Sequence, residues 1–249
     1  MQRSLHIYLL VLLSISSASQ SKTLWKADFE TGDTHQWHWI ANPEAISVST
    51  ECAFDGKYSG KIRLTGEDKF LWHGNADLNR SEFHYTPEKG STYEGNETFY
   101  SFSFYLPEAF TYEGRHELGY WESNQTWQQI MRFNIQGEDF SFTATAQESP
   151  FWIEKKGAKA KQWHKVAMHI FWSTDPKKGF TEIWLDGKNM GKYFFQTLLV
   201  ADAEMFNQVG ILRNQQQKIE TIYIDKAFAT DNLTELLETD AYLIGKDCL

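Results

Sequence analysis

The chain has 249 residues, 41% hydrophobic and 16% aromatic, with 10 Trp, 16 Gly and 5 Pro. That composition excludes a disordered or low-complexity chain and suits one large domain with a well-filled core. The balance of 24 Lys+Arg against 33 Asp+Glu, a formal net charge of −9, argues against a nucleic-acid partner, because neutralising phosphates needs a basic face.

In chain order, Arg3, the apolar run Ile7 to Leu13 and the small residues Ser16 to Ser19 read as a secretory signal peptide over residues 1–21. The run is too short to span a bilayer and no later stretch is long and apolar enough, so no membrane partner is expected. Residues 22–249 are then an exported, extracellular or periplasmic single domain, expected to be a monomer. Export permits a disulfide, and Cys52 and Cys248, the only cysteines, can make a single intramolecular bond between an early strand and the C-terminus. Neither has the neighbours of a catalytic thiol. Sequons at Asn79, Asn96, Asn124 and Asn232 would carry glycans in a eukaryotic secretory pathway.

Short runs rich in β-branched and aromatic residues follow, separated by turn residues: 97–106, 127–136, 139–146, 164–172, 181–185, 209–213 and 221–224. Asp186-Gly187 after Ile183-Trp184-Leu185 signals a tight hairpin. One short helix is predicted, over 233–242. Many antiparallel strands without linker or repeat predict an all-β, two-sheet jelly-roll sandwich.

Several segments taken together look familiar. Asp28-Phe29-Glu30-Thr31-Gly32, Gly56-Lys57-Tyr58-Ser59-Gly60-Lys61, Arg80-Ser81-Glu82, Trp163-His164, Ile183 to Lys188 and Gly210-Ile211-Leu212-Arg213 resemble, in order and spacing, the heparin lyase I-like and glucuronan lyase group of polysaccharide lyases. The resemblance covers nearly all of 22–249. It implies a concanavalin-like jelly roll whose concave cleft binds an acidic polysaccharide and cleaves it by β-elimination beside a uronic acid.

That chemistry needs a group to hold the uronate carboxylate, a base for the adjacent proton and an acid for the leaving oxygen. In an extended strand Arg80, Glu82 and His84 share one face and Ser81, Phe83 and Tyr85 the other, so a cation, an orienting carboxylate and an imidazole converge. For Glu82 an ordinary ion pair at a sheet surface is the alternative. His73 approaches from a neighbouring loop. In the next segment, alternation places Gln128, Arg132 and Asn134 towards the cleft, or Gln129 if the register is reversed. Related alginate-degrading jelly rolls carry Gln-x-His in such a strand, and this chain has no His there. They also carry a late Tyr that this chain lacks, which leaves Tyr193, Tyr120 or Tyr223 for proton transfer. Trp121, Trp127 and Trp152 are candidates for stacking on sugars, with Tyr120 and Trp121 beside the substrate. Lys155, Lys156, Lys159 and Lys161 form a basic run that would guide an anionic chain or be a solvated loop.

Jelly rolls of this kind often hold a structural calcium between an early acidic segment and the last strand, which here implies Glu30 and Asp225 with Asp28, Asp33 or Asp55. No strand carries the paired carboxylates of a glycosidase. A non-catalytic, lectin-like carbohydrate-binding protein is the alternative function. The low Arg and Lys content places glucuronan- or alginate-like polymers ahead of sulfated ones.

Overall fold

Turn residues with positive φ cut this chain into strands. At Asp186 (φ 52°) and Gly187 (φ 78°) both central positions are left-handed, as a two-residue hairpin demands. The computed structural model describes residues 22–68, 70–72, 75–76, 79–114, 116–147, 149–238 and 244–248. The expected signal peptide and His73 lie outside them.

The strands in chain order are β1 (Thr23–Ala27), β2 (Trp39–Ala41), β3 (Ile46–Ser49), β4 (Ser59–Leu64), β5 (Leu71–Trp72), β6 (Asn75–Ala76), β7 (Asn79–Tyr85), β8 (Glu97–Tyr105) and β9 (His116–Ser123). They continue with β10 (Gln129–Gln136), β11 (Asp139–Ala144), β12 (Trp152–Glu154), β13 (Trp163–Phe171), β14 (Phe180–Leu185), β15 (Lys188–Phe194), β16 (Met205–Arg213) and β17 (Glu220–Thr230). One sheet runs β15-β14-β13-β8-β17-β4-β3, with β1 beside β17; the other runs β12-β11-β10-β9-β16-β7-β2. The pairings are antiparallel, and the two sheets form a jelly-roll sandwich.

The core is the aromatic layer between the sheets. Phe102 and Phe104 of β8 meet Phe133 of β10 and Phe140 of β11, and the Phe133 and Phe140 rings stack at 5.3 Å. Phe83 and Tyr85 point into this layer, which turns Arg80, Glu82 and His84 to the opposite face of the second sheet. A satellite core of Phe54, Tyr105, Trp163 and Tyr223 lies under the disulfide between Cys52 and Cys248, whose Cα atoms are 5.1 Å apart.

The predicted helix begins where expected. It spans α1 (Leu233–Glu238), its N-terminus capped by Asn232 Oδ1, which accepts the Thr234 N–H at 2.7 Å. Residues 239–243 lie outside the described set. No helix among the described residues is long and apolar enough to cross a membrane.

Candidate active site

Antiparallel pairing places Trp39 opposite His84, His84 opposite Gln208, Gln208 opposite Tyr120 and Tyr120 opposite Arg132. Directly opposed residues share a face, so five strands contribute one row of side chains on the outer face of the second sheet. Glu82 and Arg80 follow His84 along β7, and Glu122 and Glu117 flank Tyr120 along β9.

Glu82 is only 1% exposed, with Arg80 Nη1 3.8 Å from its Oε2. Burial pushes the Glu82 carboxyl up to about 8; Arg80 and Tyr120 oppose the shift, and Glu117 and Glu122 add to it. At neutral pH it is therefore a carboxylic acid, with a proton it can donate to a ligand. The Tyr120 hydroxyl beside it is held well above the usual phenol range, first by burial and then by the Glu82 charge. His84 is pushed the other way: burial, then Arg80, lower its pKa to about 3. Its imidazole is neutral at pH 7, and its Nε2 has no hydrogen-bond partner among the described residues. One face thus offers a guanidinium, a protonated carboxyl, a protonated phenol and a neutral imidazole.

A ring of amides and carboxylates surrounds this group. Glu117 accepts Gln129 Nε2 at 2.7 Å and lies 3.4 Å from Arg132 Nε. Gln208 Nε2 donates to Glu122 Oε2 at 2.9 Å, and Asn134 Nδ2 to Thr143 Oγ1 at 3.2 Å. Burial raises the Glu122 carboxyl too, against the pull of Gln208 and Arg80.

Three expectations are corrected. Gln128 is exposed and precedes β10; the register shift between Gln129 and Met131 brings Gln129 to the same side as Arg132 and Asn134. Trp121 points inward, 1% exposed, its Nε1 donating to Met168 Sδ at 3.1 Å, because its neighbour Tyr120 takes the outer face. Tyr193 belongs to edge strand β15 of the other sheet, where it packs on Phe151 at 4.8 Å and donates its hydroxyl to the Met190 carbonyl. The phenol beside Glu82 on the outer face is that of Tyr120.

Elsewhere, Trp152 rests against Phe140, and Tyr223 donates to Glu51 at 2.7 Å. Lys155 pairs with Asp139 at 2.6 Å. Glu117, Glu122 and Gln208 were not foreseen. The signal was there in β9, where Glu117, Tyr120 and Glu122 are outward, but its Gly119 and shifted register conceal the period.

The residues expected to hold calcium stand on the other sheet, around a groove of about 370 Å³ lined by Asp28, Glu30, Asp55 and Lys226. The Asp225 carboxylate accepts backbone N–H groups of Phe54 at 2.8 Å and Lys226 at 2.6 Å. Burial pushes it up to about 8, with Glu30 adding to the rise. A divalent cation would relieve repulsion between a buried carboxyl and a second one, and Glu30 and Asp225, whose oxygens already accept backbone N–H groups, are the pair that would fit that role. Asp28 does not, being turned to Lys26 at 3.0 Å and Gln36 at 2.8 Å. No three His, Cys, Asp or Glu among the described residues are grouped to hold one ion.

Comparison with known proteins places this architecture. The fold is similar to a GH131 β-glucanase catalytic domain from Podospora anserina, with TM-score 0.61 and 15% identity over 85% of this chain and 96% of that one. It is also similar to the cellulose-induced protein Cip1, with TM-score 0.57 and 14% identity over 83% and 97%. The alginate lyase from Corynebacterium sp. follows with TM-score 0.54 and 8% identity over 74% and 79%. At such identities the likeness is one of fold. No curated protein matches the sequence. Residues 29–227 match the family model described as polysaccharide lyase, a span that includes the whole of the second sheet and every residue of the row from Trp39 to Arg132, and the chain belongs to that family.

Proposed function

We propose that the protein is a secreted lyase that cleaves a uronate-containing polysaccharide, glucuronan- or alginate-like, by β-elimination on the outer face of the second sheet. The observation that carries this reading is the convergence of Arg80, Glu82, His84 and Tyr120 in four different protonation characters on one face. Arg80 and the protonated Glu82 hold the uronate carboxylate and stabilise the enolate-like charge that develops when the neighbouring C–H bond breaks. His84 Nε2 takes that proton. Its low basicity comes partly from Arg80, and a substrate carboxylate on Arg80 offsets that part. Tyr120 gives its proton to the leaving glycosidic oxygen as the C–O bond breaks and the C=C bond forms. The imidazolium then returns its proton to the phenolate, and both groups are restored.

Glu117 and Glu122 make the surroundings of this group acidic, which favours a uronan, charged only through its carboxylates, over a more densely charged sulfated chain. The leader-like N-terminus and the disulfide support export. Calcium between Glu30 and Asp225 would brace the other sheet.

A second reading rests on one specific observation. Glu82, Glu117 and Glu122 gather on a fold shared with a GH131 β-glucanase, and a carboxyl raised to about 8 near others is also the pattern of a glycosidase acid.

The test is absorbance in the near ultraviolet, at the unsaturated uronate band, while the protein is offered glucuronan, alginate, heparin or pectate with calcium present. Rising absorbance on one polymer establishes eliminative cleavage. New reducing ends without absorbance establish hydrolysis instead. Neither, with retarded migration in a gel containing one polymer, establishes a lectin-like binder.

A further inference from the structure

We propose that Trp39, Phe206 and Trp127 form a sugar-stacking strip that holds the polysaccharide on one side of the scissile bond, through the carbon faces of its rings and independently of its carboxylates. The proposal rests on the reading that the outer face of the second sheet binds polysaccharide. It names how one end of that face does so.

The strip is built from three strands and a loop. The Trp39 ring of β2 meets His84 edge-on at 4.4 Å. On the other side of His84 the Phe206 ring of β16 lies nearly parallel, at 5.9 Å and 15°. Trp127, in the loop before β10, meets Phe206 at 6.2 Å. The four rings therefore make a continuous path that includes the imidazole assigned to the proton and ends in solvent.

Two independent features show that this path is kept for a ligand. Trp39 is 43% exposed and Trp127 58% exposed, although a β-sandwich of this size has ample interior for indole rings and buries Trp121, Trp163 and Trp172 completely. Trp127 also has φ 55°, a left-handed backbone that a bulky residue adopts only at a cost, and strain of that kind collects at binding sites. Its N–H donates to the Ser123 carbonyl at 2.9 Å, which fixes the turn and so the placing of the indole.

The chemistry selects the ligand. An indole or phenyl ring presents a flat, electron-rich apolar face, and a pyranose presents a face of C–H bonds with its hydroxyls and carboxylate directed around the rim. Arg80 and Glu82 recognise charge at the reacting sugar, whereas the strip recognises only ring shape. A flanking sugar there need not be a uronate.

The experiment compares wild type with Trp127→Ala, Trp127→Phe and Trp39→Ala on glucuronan and alginate. It measures steady-state cleavage and, separately, the dissociation constant from quenching of intrinsic fluorescence; thermal melting confirms that each variant is folded. For Trp127→Ala, KM and the dissociation constant are expected to rise about tenfold, the effect of ~1.4 kcal/mol of stacking, with kcat falling far less and Trp127→Phe restoring most of the loss. Unchanged KM and affinity in both alanine variants, in a protein that cleaves, would overturn the strip and leave the lyase reading standing. Weakened binding in Trp127→Ala, in a protein that binds a polymer without cleaving it, would support the strip and remove the lyase reading. A wild type that binds neither polymer overturns both.

Discussion

Arg80 is the residue on which the other members of the site depend. It faces the Glu82 carboxyl at 3.8 Å, restrains the rise of the Glu82 and Glu122 pKa values and helps depress that of His84. Arg80→Ala is expected to lower turnover on the order of 10²–10³-fold, the cost of losing one preorganised donor to developing charge, with the fold retained. A wild-type rate in that variant removes Arg80 from the site. Glu82 adds a pH prediction. As pH rises through about 8 its proton is lost and a carboxylate comes to face the substrate carboxylate, so KM should climb on the alkaline side. Glu82→Gln, which stays neutral, should lack that limb in a pH profile of KM. Arg80, Glu82 and His84 were legible in the sequence because strand alternation alone puts residues i, i+2 and i+4 on one side. Gln128 was misread because a register shift at the strand start breaks the same rule.

At the scale of elements, the contact between β7 and β16 decides whether the site exists. Gly210 sits where these strands approach, and a Cβ there would stand 2.8 Å from the Glu82 Cα and against the Ser81 carbonyl. Gly210→Ala should therefore shift β7 and destabilise the fold by ~1–3 kcal/mol, read as a drop in melting temperature, with activity falling further than stability because Arg80, Glu82 and His84 all ride on that strand. At the far end of the same strands a buried polar network ties β7, β9, β16 and β17 together. Arg213 donates to Asn79 Oδ1 at 2.6 Å and to Glu220 at 2.7 Å, and His116 meets Glu220 at 2.8 Å. Asn79 is 1% exposed, so its sequon has no room for a glycan. Protein made in a eukaryotic secretory host should show Asn79 unmodified by peptide mapping, whatever happens at the exposed Asn96 and Asn124. A glycan on Asn79 would contradict this packing of β7.

Across the whole molecule, buried ionisable groups set the stability profile. Glu82 and Asp225 both have folded-state pKa values of about 8, above those of the unfolded chain. The folded state therefore binds more protons between about pH 4.5 and 8, and stability falls as pH rises through that window. His84, lowered to about 3, works in the opposite direction, costing stability as pH falls below about 6.5, but it is one group against two. Melting temperature should decline from pH 5 to pH 8, with a shallower slope in Glu82→Gln. Calcium should raise the melting temperature at pH 8 and Asp225→Asn abolish that increment; an equal response in the variant removes Asp225 from any ion site. The disulfide closes a loop across 196 positions, and losing it through Cys248→Ser should cost up to ~5 kcal/mol on the chain-entropy estimate.

The amino-acid sequence by itself determined the seven strands β8, β10, β11, β13, β14, β16 and β17, the disulfide pair, the hairpin at Asp186-Gly187 and the shared face of Arg80, Glu82 and His84. Each follows from local periodicity, turn chemistry or the count of a rare residue, and none needs a partner strand to be known. Only the tertiary structure decided which phenol joins that face. Tyr193 and Tyr120 are alike as local sequence, and it is the order β10-β9-β16-β7, a matter of non-local pairing, that carries Tyr120 to Glu82 and leaves Tyr193 half-buried on an edge strand of the other sheet. The same pairing brought Glu117, Glu122 and Gln208 to the site and lined up Trp39, Phe206 and Trp127, residues far apart in the chain that become neighbours only when the sheet forms.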